Sequence, residues 1–177
     1  MSFLRRLIGG QKASEALGET WPPPGPITEW PTGAPNLHGN LRATTFDPAR
    51  KVVQVVGESA HQGSLERLAG GRTIDGARNP DHTAILLPEP TNPYDPNAVR
   101  VVVVTATGEH AVVGYLSQED AVGYRPIIDR LAAQGMVAAC RASISGGWDR
   151  GDGDRGEFGV RLSMGTPDEL TKELEAD

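Results

Sequence analysis

The densest collection of chemistry-bearing residues in the chain is the run Pro88-Glu89-Pro90-Thr91-Asn92-Pro93-Tyr94-Asp95-Pro96-Asn97-Ala98-Val99. Its four prolines restrict the backbone while Asn and Asp supply side-chain bonds to nearby amides, so composition alone reads it as a rigid turn entering a strand. No nucleophile stands at a meaningful spacing from a base, no Gly-rich loop with a Lys offers to cradle phosphate, and no carboxylates are paired as in a hydrolase. Glu58 or Asp95 could be drawn with His61 as an acid/base couple, but nothing in the spacing brings them together, so no enzymatic activity is expected. One cysteine and four scattered histidines exclude a structural zinc site on ligand count. That cysteine, Cys140, sits in the apolar run Val137-Ala138-Ala139-Cys140 and reads as a small core hydrophobe rather than a reactive thiol. Asp149, Asp152 and Asp154 offer oxygen ligands on a Gly-rich loop. They lack the ordered spacing and terminal Glu of a calcium loop, and Arg150 and Arg155 compete for them, so the segment reads as a hairpin tip and no cofactor or metal is expected.

The elements that must position these residues follow from composition and pattern. At 177 residues, with 22 Gly and 14 Pro, the chain has the length of one domain plus tails, and its architecture should be loop-rich and β-rich. Seven of the prolines fall within residues 1–50, which read as a Pro-rich, extended arm. Trp21 and Trp30 within it either pack back on the domain or anchor a partner, and the first is favoured. Charge is divided unevenly. Residues 1–50 carry five basic and four acidic side chains, residues 51–164 carry 11 and 14, and the last 13 residues carry one and five, which together make the net charge of −6. That sign excludes nucleic-acid binding by bulk phosphate attraction, so any such role must be local.

Between residues 51 and 164 the pattern is one of short strands: Val52 to Gly57, Thr83 to Leu87, the valine run Val99 to Thr105, His110 to Leu116, Met136 to Ser145 and Glu157 to Met164. Thr107-Gly108 makes a hairpin turn. Ser117-Gln118-Glu119-Asp120 reads as a helix start leading to Val122, Ile127, Ile128 and Leu131, and Pro126 leaves open whether the region is one helix or two short ones. The prediction is a mainly β (α+β) domain, a small six-stranded barrel with one or two short helices, followed by an acidic tail or short helix over residues 165–177 that begins at Thr166-Pro167-Asp168-Glu169. The basic, apolar opening from Met1 to Gly9 is too short for a signal-peptide core, and no segment is long enough to span a membrane, so the cytoplasm is the expected location.

The segment Glu89-Pro90-Thr91-Asn92-Pro93-Tyr94-Asp95-Pro96-Asn97-Ala98-Val99, followed after a hairpin by Val113-Gly114-Tyr115-Leu116 and a helix, resembles the HIRAN domain. The opening strand with Val55-Val56-Gly57-Glu58-Ser59 fits too, and the resemblance runs from about Val52 to Met164. It implies an OB-like small barrel and, from the family's DNA-binding member, capture of single-stranded DNA at a free 3′-hydroxyl end in repair or replication. By that resemblance Asp95 would accept a hydrogen bond from the terminal hydroxyl, Tyr94 would pack on the terminal nucleotide, and Asn92 would hold the pocket. The chain departs from the family pattern at Ser59, Ala60 and His61, where that member carries an Arg and two aromatics, and at Tyr115 and Gln118, where it carries a His and a Lys. His61 can still donate to a phosphate or hydroxyl, and Tyr115 offers a stacking surface. Lost cations imply weak affinity, roughly micromolar or poorer. The alternative is a protein-interaction module with a degenerate DNA pocket, meeting its partner through Trp21, Trp30 or the acidic tail.

Overall fold

A computed structural model describes residues 43–46, 51–105, 107–133 and 137–176. Seven strands and three helices follow in chain order: β1 (Ala43–Phe46), β2 (Lys51–Val56), a 3-10 turn (Glu58–His61), α1 (Gln62–Leu68), β3 (Ala77–Pro88), β4 (Val99–Val104), β5 (His110–Leu116), α2 (Gln118–Ala133), β6 (Val137–Gly146), β7 (Phe158–Met164) and α3 (Pro167–Ala176). Six strands close on themselves in the order β6, β3, β4, β5, β2, β7 and back to β6, every pairing antiparallel, which is the small barrel that the strand pattern predicts. β1, which falls inside the segment read as an arm, adds to β6 in parallel, with Ala43 opposite Val137 and Phe46 opposite Cys140. Trp21 and Trp30 lie outside the described residues.

Closure solves the edge problem, because no strand of the barrel is left with a full row of unpaired amides. The tightest spot is β2. Lys51 to Gln54 pair with β7 while only Val55 and Val56 pair with β5, so β2 crosses from one neighbour to the other and leaves the start of β7 short of a partner. Side chains take over there. The Val160 amide donates to Glu58 Oε1 at 2.7 Å, the Phe158 amide donates to Gln62 Oε1 at 2.8 Å, and Gln62 Nε2 donates to the Phe158 carbonyl at 2.9 Å. These bonds pin the 3-10 turn and α1 to the barrel wall, while Leu65 and Leu68 of α1 are buried in the core. α1 is an element that the strand pattern does not foretell, since only two apolar residues mark its inner face.

Alternation along β4 separates two buried faces. Val99, Val101 and Val103 join the barrel core, whereas Arg100, Val102 and Val104 lie on the opposite face and are also buried. Helix α2 closes the barrel with Ala121, Tyr124, Ile127, Ile128 and Leu131. Of the two alternatives left open at Pro126 it takes the single helix, continuous through the proline. The carbonyl that loses its donor belongs to Val122, a residue 56% exposed, so water can satisfy it while the apolar stripe on the other side holds the helix to the core. Its start is capped as the sequence suggests: the Asp120 amide donates to Ser117 Oγ at 3.1 Å, and Ser117 Oγ donates to Asp120 Oδ2 at 2.8 Å. The acidic C-terminal segment forms α3 rather than a solvated tail. Thr166 and Glu169 cap it reciprocally, Leu170 is buried, and the Tyr124 hydroxyl donates to the Gly165 carbonyl at 2.9 Å. No helix among the described residues is long and apolar enough to cross a membrane.

Candidate nucleic-acid interface

The turn between β3 and β4 is built around one amide side chain. Asn92 Oδ1 accepts from the Tyr94 amide at 2.9 Å and from the Asp95 amide at 3.2 Å, and Asn92 Nδ2 donates to Glu89 Oε2 at 2.9 Å. Asp95 repeats the device one step on, its Oδ1 accepting from the Asn97 amide at 2.8 Å. Backbone bonds from Glu89 N to Ala98 O and from Ala98 N to Asp95 O close the base of the turn at 2.9 and 3.0 Å. With its backbone so fixed, the turn holds Tyr94 out at 95% exposure, and Asp95 Oδ2 accepts no bond from a described residue. An exposed ring beside a free carboxylate oxygen is a surface for stacking a planar group and accepting a hydroxyl proton.

Two buried arginines hold the turn, and neither stands out in the sequence as a site residue. Arg125 of α2 is 9% exposed; its Nη1 donates to the Pro96 carbonyl at 2.6 Å and its Nε to Asp129 at 2.8 Å. Arg100 of β4 is 3% exposed and forms an ion pair through Nη2 with Glu89, itself 4% exposed. Glu89 therefore links Arg100 to Asn92, and through Asn92 to the amides of Tyr94 and Asp95. A usable signal was present: an arginine interrupting a run of valines on a strand buried on both faces must find an acid, and Glu89 directly follows the end of β3 that pairs with the start of β4.

The strand register then places Tyr115 beside this network. Tyr115 of β5 stands opposite both Arg100 of β4 and Val56 of β2, with the Arg100 guanidinium 5.9 Å from its ring centre. Gly114 makes the crossing possible. Its φ is +146°, and a Cβ there would run into the Val56 carbonyl oxygen and Val55 Cγ1. His61, at the end of the 3-10 turn that follows β2, is half-buried; burial first, and then the Arg100 charge, hold its pKa below the ordinary 6.5, so the ring is neutral at pH 7. Ser59 and Ala60 are exposed on the same turn. Asn92, and through it the amides of Tyr94 and Asp95, is thus linked by Glu89 to Arg100, with Tyr115 opposite Arg100 and His61 close enough to feel its charge. Gln118 stands apart on the first turn of α2, exposed, its side chain bonded to no described residue.

The other sequence candidates are engaged elsewhere. Asp149 meets Arg155 at 2.7 Å and accepts from the Gly151 amide, and Asp154 meets Arg150 at 3.4 Å and Trp148 Nε1 at 3.1 Å. Among the described residues no three His, Cys, Asp or Glu side chains are placed to hold a metal ion. Cys140 is buried, and burial pushes its thiol pKa up to about 12, which fits the core reading. Arg67 pairs with Glu109, and Arg72 with Glu66 and the Gly156 carbonyl.

Residues 60–146 match the family model of the HIRAN domain. A solved structure of the HIRAN domain of human HLTF is similar at 20% identity, over 71% of this chain and 86% of that one, with a TM-score of 0.32. No curated protein matches the chain. On that match residues 60–146 carry a HIRAN domain, a family of DNA-binding modules.

Proposed function

We propose that the β3–β4 turn recognises single-stranded DNA at a free 3′-hydroxyl end, with Tyr94 stacking on the terminal nucleotide and Asp95 accepting the hydroxyl proton. The observation that supports this most is the pairing of a 95% exposed Tyr94 with the unoccupied Asp95 Oδ2 on a turn whose backbone is held by side-chain bonds. A carboxylate accepts from a hydroxyl and repels a phosphate, so the pair discriminates between the two kinds of 3′ end. A base on an aromatic face is worth about 1 to 3 kcal/mol. Tyr115 extends the stacking surface, and neutral His61 and exposed Gln118 offer polar contacts along the strand. Such end capture belongs to DNA repair or replication in the cytoplasm. Affinity should be modest, because Arg67, Arg72, Arg100 and Arg125 are all spent on carboxylates of the protein. That same pairing, with the net charge of −6, supports a second reading in which the module binds a protein partner through Trp21, Trp30 or the acidic segment.

The test is fluorescence anisotropy with single-stranded oligonucleotides ending in a 3′-hydroxyl or a 3′-phosphate, for wild type and Asp95→Asn. Preference for the hydroxyl that collapses in Asp95→Asn is the expected result. Equal affinity for both ends in wild type, or no binding at low salt, would remove the end-capture reading and leave the protein partner.

A further inference from the structure

Strands β3, β4 and β6 carry a second apolar face, turned away from the barrel core. Ile85 stands opposite both Val102 of β4 and Ala139 of β6, and the alternation of each strand sets Leu87, Val104 and Val137 on the same side. All six residues are at most 2% exposed, yet none belongs to the core cluster. The helices do not account for this. The buried apolar side chains of α1, α2 and α3, from Leu65 to Tyr124 and Leu170, are all members of the core, so among the described residues no helix lays a buried apolar side chain on this face. The burial is that of a single chain, and a sheet face reaches it only when something lies over it.

We propose that residues 1–42 fold back across this face and that Trp21 and Trp30 are seated on Ile85, Leu87 and Val102. The point of entry favours this occupant. β1 runs parallel to β6 with Ala43 opposite Val137, so the chain before Ala43 arrives at the end of the face where β6 begins. From β1 to β4 is three strand spacings, about 14 Å, which about five extended residues span. Trp30 and Trp21 stand 13 and 22 positions before Ala43, so both can reach. The patch measures about 10 Å across the strands and about 7 Å along them, an area that two indole rings cover. The other undescribed positions, 47–50, 106, 134–136 and 177, hold Met136 as their one large apolar side chain. Composition fits as well. The strands of the face are paired on both edges, so it offers side chains rather than free backbone groups, and a Pro-rich segment with few amide donors sacrifices little by lying on it. The proposal is independent of what the β3–β4 turn binds. It takes Trp21 and Trp30 out of the protein-partner reading and leaves that reading the acidic segment.

The test is nuclear Overhauser spectroscopy on the full chain with labelled Ile, Leu and Val methyl groups, the two indoles being assigned by their loss in Trp21→Phe and Trp30→Phe. Contacts from an arm indole to the methyls of Ile85, Leu87 or Val102 within one chain are the expected result. Methyls that meet neither indole would overturn the proposal. So would contacts seen only between labelled and unlabelled chains in a mixed sample, which would assign the face to a second copy. In the double variant Trp21→Ser/Trp30→Ser, the thermal midpoint should fall and binding of an apolar dye should rise severalfold. A double variant with the wild-type midpoint and no added dye binding would also overturn it. The wild-type contacts give an answer even if the double variant does not fold.

Discussion

Replacing Asn92 by alanine removes three hydrogen bonds at once, and the structure indicates what each is worth. The two amides it accepts from, those of Tyr94 and Asp95, lie at an exposed to half-buried turn where water can substitute, so each contributes about 0.5 kcal/mol. The third bond matters more. Glu89 is 4% exposed, and its Oε2 would lose its donor with no water to replace it, at about 1 to 3 kcal/mol for a buried polar group. The sum is about 2 to 4 kcal/mol, a large share of the roughly 5 to 15 kcal/mol by which a domain is stable. Urea denaturation at neutral pH should show the midpoint falling with the slope unchanged. Asn92→Asp keeps the acceptor for both amides but sets a carboxylate against Glu89, so it should be at least as destabilised as Asn92→Ala. DNA affinity should drop more than tenfold in both variants, since the exposed ring and the free carboxylate oxygen would no longer be held together. An Asn92→Ala protein within about 0.5 kcal/mol of wild type would refute the reasoning, because it would show that Glu89 and Arg100 hold the turn without Asn92.

Two further outcomes follow from the barrel seam. Gly114→Ala places a Cβ against the Val56 carbonyl and forces φ +146° on a residue that resists it, so the variant should lose upward of about 3 kcal/mol or fail to fold, read by thermal unfolding. Glu58 has its pKa raised above the ordinary 4.5, first by burial and then by neighbouring Glu157, against the lowering bond from the Val160 amide. In the window above 4.5 the folded chain holds this proton more tightly than the unfolded chain, so the associated stability is present below that window and lost as pH rises through the folded value. Denaturation midpoints measured from pH 4 to 7 should show this loss in wild type and not in Glu58→Gln, which keeps an oxygen for Val160; parallel profiles would contradict the assignment.

Much of the barrel was legible because strands with one buried face, or two, declare themselves. The β-branched runs from Val52, Val99, His110 and Met136 became β2, β4, β5 and β6, and the Ser117 and Thr166 caps started α2 and α3 where a hydroxyl could satisfy free amides. Pro126 left one helix or two undecided, because a proline breaks a helix only where the lost hydrogen bond cannot be replaced, and here the affected carbonyl belongs to the exposed Val122. Helix α1 was hidden since its residence on the barrel depends on Gln62 reaching Phe158, 96 positions away.

What the sequence by itself determined is local: the strand periods, the caps, the buried thiol, and the Asn-Pro-Tyr-Asp turn whose bonds span at most three residues. Only the tertiary structure decided what that turn is attached to. The β3–β4 and β4–β5 hairpins set Arg100 beside Glu89 and opposite Tyr115, and closing the barrel through β2 and β5 sets Val56 opposite Tyr115, which brings His61, five residues on, within range of the Arg100 charge. That closure depends on the register between β2 and β5, strands distant in the chain, and such a register is fixed by the packing of the whole sheet rather than by any residue's neighbours in sequence.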